Sequence, residues 1–126
     1  MSEYEKILKV LDDLLRSKDV YACMVAKRGM EGVIPDSSKF NPKVMDMWET
    51  LQNTIDNEFT TIKEFSGYGL GEVTFRMQEF EVLLYILSGS DTALIAVTPA
   101  LANKGLTEVT MENARRSLVE IIQNRL

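Results

Sequence analysis

The sequence predicts an α+β fold whose eight elements run in the order αββαβββα, with a sheet as its middle layer. Three observations lead there. Residues 72–98 read as three short strands joined by tight turns. Two of those strands, 82–87 and 93–97, are unbroken apolar runs, which need cover on both faces. Three amphipathic helical patterns elsewhere in the chain are available to supply that cover. At 126 residues and 45% hydrophobic, the chain fits one domain spanning residues 1–126, and a domain of this size buries roughly two thirds of its unfolded surface.

The elements follow in order. Ser2 with Glu5 three residues on is a capping box, and Tyr4, Ile7, Leu8, Leu11, Leu14 and Leu15 recur at helical spacing behind it. A first helix over residues 3–16 follows, with Glu5, Lys9, Asp12 and Asp13 on its solvent side. Residues 20–26 mix apolar, β-branched and aromatic side chains and read as a strand buried on both faces. Residues 27–32 turn the chain, with Gly29 and Gly32 available wherever a positive φ is needed. Val33 and Ile34 leave room only for a short second strand, and Pro35, which has no N–H, makes that strand a sheet edge.

Asn41 and Pro42 then form an N-cap with proline at the first helical position. The long helix they open carries Val44, Trp48, Leu51, Ile55, Phe59 and Ile62 on one stripe, and Gly67 stands as its C′ residue. Met45 and Met47 flank the stripe, so the apolar arc is wide at its start, and Thr50, Thr54 and Thr61 form a weakly polar margin. In the third strand, 72–77, Val73, Phe75 and Met77 alternate with Thr74 and Arg76. Turns at 78–79 and 88–91 separate the next two strands, and Thr98 with Pro99 ends the last. Asn103 caps a final helix whose predicted buried stripe is Leu106, Val109, Ala114, Leu118, Ile121 and Ile122.

Composition excludes several functions. With no histidine in the chain, Ser–His–Asp and Cys–His catalysis and His-based zinc binding are ruled out. Cys23, the one cysteine, lies in a doubly covered strand, where a thiol acts as a small core hydrophobe, and it leaves no internal disulfide. The glycines at 67, 69 and 71 follow a helix and precede a strand. A dinucleotide loop needs the opposite order, so that phosphate meets a helix N-terminus, and no P-loop motif is present. Glu79 with Glu81, or Asp12 with Asp13, could be drawn as acid–base pairs, but adjacent residues do not face each other on a helix and turn carboxylates are normally solvated. We expect no enzyme, no metal and no cofactor.

A net charge of −5 and a pI near 4.8 speak against nucleic acid, whose binding depends on clustered Lys and Arg. No apolar run approaches the roughly 20 residues of a bilayer span, so no membrane insertion is expected, and the lone cysteine without a signal-like start suggests a cytoplasmic protein. What remains is a binding or assembly role. The third strand carries Val73, Phe75 and Met77 with neither a proline nor a lysine to guard it, so as an edge it is expected to pair with another copy about a two-fold axis. The arc of the long helix, Met45, Met47, Trp48, Leu51 and Ile55, would then pack partly on its own sheet and partly on that copy, with Thr74 and Arg76 also at the seam.

The αββαβββα order, the hairpin around 27–32, the helix opening at Asn41–Pro42 and the close passage into 73–77 together resemble the Roadblock/LC7 domain family. So does the run 93–97 followed by Thr98–Pro99 and Asn103–Lys104–Gly105. The likeness spans essentially the whole chain, although Gly29–Met30–Glu31–Gly32 replaces a frequent Asp–Gly turn and Ala22 stands where glycine is common. The resemblance implies a five-stranded antiparallel sheet in a profilin-like sandwich, with the long helix on one face and the two terminal helices on the other. It also implies dimers joined through the third strand and second helix, acting as non-catalytic scaffolds or regulators, and the first reading among these is a homodimer. Single-domain prokaryotic members are typically associated with small Ras-like GTPases, and Arg16, Arg28, Arg76 and Arg116 are the candidates for a catalytic finger toward such a partner. The alternatives are a small-ligand sensor in a similar sandwich and a dynein-light-chain-like adaptor.

Overall fold

The computed structural model describes residues 1–89 and 91–123, so Ser90 of the turn expected at 88–91 lies outside the described residues. The helices are α1 (Glu3–Leu14), α2 (Met45–Phe65) and α3 (Lys104–Gln123); the strands are β1 (Ala22–Lys27), β2 (Met30–Val33), β3 (Glu72–Arg76), β4 (Phe80–Ser88) and β5 (Thr92–Pro99). They build one antiparallel sheet in the order β2-β1-β5-β4-β3. The two edges are β2 and β3, as the pattern predicts.

Each sheet face has its own core. On one side Val44 of the turn before α2, and Trp48, Leu51, Phe59 and Ile62 of α2, are buried among Met24, Val82, Leu84, Ile95 and Val97. On the other, Ile7, Leu11, Met111 and Leu118 of α1 and α3 meet Cys23, Val25, Leu83 and Leu94. Because successive strand residues point to opposite faces, the apolar runs of β4 and β5 divide evenly between the two cores. Fully burying each large side chain contributes roughly 1.5–3 kcal/mol, so both layers are needed. The segment between β2 and β3, at opposite edges, carries α2 across its face; Phe40 stacks edge-on against Trp48 with ring centroids 5.1 Å apart and closes the start of that layer.

The helix starts obey local chemistry. Ser2 Oγ accepts from the Glu5 N–H at 3.1 Å, Asn41 Oδ1 accepts from the Lys43 N–H at 2.9 Å, and Asn103 Oδ1 accepts from the Leu106 N–H at 3.0 Å. Each satisfies an N–H that the helix leaves without an internal partner. Asn41 caps a 3-10 turn, Pro42–Val44, that leads into α2.

Five details differ from the sequence expectations. The hairpin turn is only Arg28–Gly29, with Gly29 at φ 65, and β2 begins at Met30 rather than Val33. Gly32 needs no positive φ; a side chain there would strike the Val25 carbonyl oxygen, so its requirement is space. The C-terminus of α2 tightens into a 3-10 turn, Ser66–Tyr68, and Gly69 at φ 80, not Gly67, is the left-handed stop. On α1, Tyr4 is 53% exposed and leaves the stripe. On α3, Leu106 and Val109 are exposed, and the buried stripe is Thr107, Met111, Ala114, Leu118 and Ile122.

Candidate protein-interaction edge

Strand β3 alternates exposed and half-buried residues from Glu72 to Arg76. Val73 and Phe75 lean on the α2-side core, while Glu72, Thr74 and Arg76 project from the face shared with α3. One side of β3 pairs with β4 in unbroken register, Glu72 with Tyr85 through Arg76 with Glu81. Among the described residues the other side has no strand beside it. Edge β2 is different: it is four residues long, its pairing with β1 breaks register between Val25 and Lys27, and Pro35 follows it closely. A short, bulged, proline-flanked edge resists further pairing, whereas a regular apolar one invites it.

The residues predicted to join β3 at the seam separate into two groups. Trp48 and Leu51 are buried in the α2-side core. Met45 is exposed, Met47 and Ile55 are half-buried, and Met77 is 41% exposed, so these four keep apolar surface to offer. Phe65 and Tyr68, which the sequence reading left out, pair their rings at 6.3 Å on the exposed end of α2. Their signal was the helix continuing past Ile62 into a second apolar pair just before β3.

Below β3, on the α3 face, lies a groove of about 140 Å³ lined by Glu72, Thr74, Glu81, Tyr85, Thr107 and Glu108, among others. Arg76 approaches Glu81 at 3.9 Å. Arg115 sits 5.8 Å over the Tyr85 ring. Burial, with the Glu72 carboxylate adding to it, pushes the Tyr85 hydroxyl up to about 12. A volume this size lies below the roughly 300–1,000 Å³ of ordinary small-molecule pockets.

The carboxylates considered for acid–base work have separate surroundings. Asp12 accepts from Lys39 Nζ at 3.0 Å while Asp13 pairs with Arg16; Glu79 is an exposed turn residue while Glu81 is buried beside Arg76. Cys23 is fully buried and its thiol donates to the Leu11 carbonyl at 3.5 Å. Among the described residues no group of three or more carboxylate or thiol side chains is placed to hold a metal ion. The four candidate arginines fall on four different elements: Arg16 just after α1, Arg28 in the hairpin turn, Arg76 on β3 and Arg116 on α3.

This architecture, a five-stranded antiparallel sheet between one long helix and two terminal ones, is that of a Roadblock/LC7-like domain. Among solved structures the chain is similar to MglB of Myxococcus xanthus, with TM-score 0.78 and 12% identity over 100% of this chain and 94% of that one. It is also similar to an MglB described as having a tetrameric arrangement, with TM-score 0.74 and 16% identity over 100% and 94% of the two chains. A Roadblock/LC7 domain from Streptomyces avermitilis gives TM-score 0.68 and 10% identity over 93% and 98%. No family model and no curated protein matches the sequence itself.

Proposed function

We propose that the chain is a non-catalytic, cytoplasmic regulator or scaffold that acts as a homodimer, joined through β3 and α2, and binds a small Ras-like GTPase. The observation that carries this reading is the unpaired β3 edge, flanked by Val73, Phe75 and Met77 on a Roadblock/LC7-like fold. The tetrameric arrangement described for one similar MglB supports self-association as a habit of this architecture. The GTPase partner rests on likeness to the family, which is an argument from fold rather than from a site. In support of a role without chemistry, the chain has no histidine, and its one thiol is enclosed. Among the described residues no helix is long and apolar enough to cross a membrane.

Such a protein works by differential affinity, holding the switch segments of its partner in one arrangement. The test is single-turnover GTP hydrolysis and nucleotide release by a small Ras-like GTPase from the same cell, with and without the protein. A change in either rate, or a stable complex, supports the reading; no effect on hydrolysis, exchange or binding removes the regulator role.

A further inference from the structure

The backbone of β3 dictates which of its residues serve the open edge. The Met77 N–H donates to the Phe80 carbonyl at 2.8 Å, and the Ile86 N–H donates to the Gly71 carbonyl at 3.0 Å. Between these two points the register with β4 is unbroken. Residues of an antiparallel strand alternate between bonding to one neighbour and to the other. Gly71 and Met77 bond inward to β4, so Val73 and Phe75 do too. Glu72, Thr74 and Arg76 therefore turn both N–H and C=O outward, and the same three side chains share the α3 face.

A second copy that keeps the two α2 helices on one face must meet this edge about an axis perpendicular to the sheet, centred on a residue. Three centres keep most of the strand paired: Val73, Thr74 and Phe75. Centring on Thr74 joins all three outward residues, Glu72 to Arg76, Thr74 to Thr74 and Arg76 to Glu72, for about six backbone hydrogen bonds. A shift of one residue either way reduces β3–β3 pairing to about four. Side chains agree with the backbone. The Thr74 centre sets Val73 opposite Phe75 twice on the α2 face and Glu72 opposite Arg76 twice on the α3 face. The Val73 centre instead places Phe75 against Gly71 and Arg76 against Leu70; the Phe75 centre places Arg76 against Thr74 and Glu72 against Gln78.

Resting on the dimer reading above, we propose that two copies join with Thr74 on the two-fold axis and that reciprocal Glu72–Arg76 ion pairs select this register. Arg76 then lies between Glu81 of its own chain, 3.9 Å away, and Glu72 of the second copy. Glu72 lines the groove beneath the seam together with Glu81, Glu108 and Lys104, and Arg115 stands over Tyr85, the residue paired with Glu72.

The test uses the full chain with Glu72→Arg and Arg76→Glu made separately, both at exposed positions. Each alone sets like charges opposite one another twice and should raise the homodimer Kd roughly tenfold or more. Mixed in equal amounts, the two variants should recover wild-type affinity as a heterodimer, because every facing pair is then of opposite sign; native mass spectrometry identifies it. The double variant should also recover. Independently, Thr74→Cys should cross-link on mild oxidation faster than Val73→Cys or Phe75→Cys, since a hydrogen-bonded pair about 5.5 Å apart at Cα is within disulfide reach. If both charge variants dimerise like wild type and mixing gives no preference, or if cross-linking is fastest at 73 or 75, the register is overturned while the dimer stands. A monomeric wild type overturns both.

Discussion

Cys23 shows how much one residue's surroundings decide. Its side chain is fully buried, the thiol donates to Leu11, and burial together with the nearby Asp12 carboxylate pushes its ionisation far above the ordinary thiol range. Since the thiolate is the reactive form, native protein at pH 8 should leave a disulfide reagent unconsumed over minutes, and denaturant should release one thiol per chain, read by absorbance. Tyr85 gives a second residue-scale expectation. Its hydroxyl is raised to about 12 from an ordinary 10, so the folded state holds the proton more tightly than the unfolded one. That contribution is present below pH 10 and lost as pH rises through about 12. Urea midpoints measured between pH 9 and 12 should fall less steeply for Tyr85→Phe than for wild type. The covered strand around Cys23 was legible in the sequence, because an apolar run with β-branched members has few other readings; the carbonyl partner was not, because it comes from another element.

Elements were legible in kind and less so in phase. The capped starts of α1 and α3 follow from Ser2 and Asn103, since capping is a contact within four residues; Asn41 instead caps the 3-10 turn ahead of α2, whose own N-cap, Val44, has no side-chain bond. The buried side of α3 is legible at Ala114, Leu118 and Ile122 and differs in the first turns, where Thr107 and Met111 are buried and Leu106 and Val109 are not. Thr107 belongs to the stripe and Leu106 does not, and these neighbours lie about 100° apart round the helix. A polar threonine at the first buried position conceals the phase, which the packing of α3 on α1 and the sheet sets. Gly69 ended α2 two residues late because a 3-10 turn prolonged it. Gly32 carries a sharper consequence. Its φ is ordinary, so a turn rule would permit substitution, yet a Cβ there meets the Val25 carbonyl oxygen and the Met24 side chain. Gly32→Ala should cost about 1–3 kcal/mol through forced separation of β1 and β2, measured as a lower urea midpoint with unchanged slope.

For the whole molecule, alternation and edge chemistry make the sheet and its two outer strands legible in the sequence. The seam was half legible: Val73, Phe75 and Met77 are where an edge would need them, but Trp48 and Leu51, equally apolar, are enclosed by their own core. Spacing along a helix gives the width of an apolar arc and not how much of it the sheet covers. The difference between the two edges can be put to a direct comparison. Phe75→Glu places a charge in the apolar row of β3 and should convert a dimer to monomer at micromolar concentration. Its counterpart on β2 must be Met30→Glu, since Met30 is 71% exposed whereas Val33 is buried and a charge there would unfold the layer. Light scattering on both, with circular dichroism to verify folding, should find Met30→Glu unchanged in mass. Equal loss of mass in the two variants would mean that copies meet through β2 as well, and a folded Phe75→Glu that stays dimeric would move the interface away from β3 altogether.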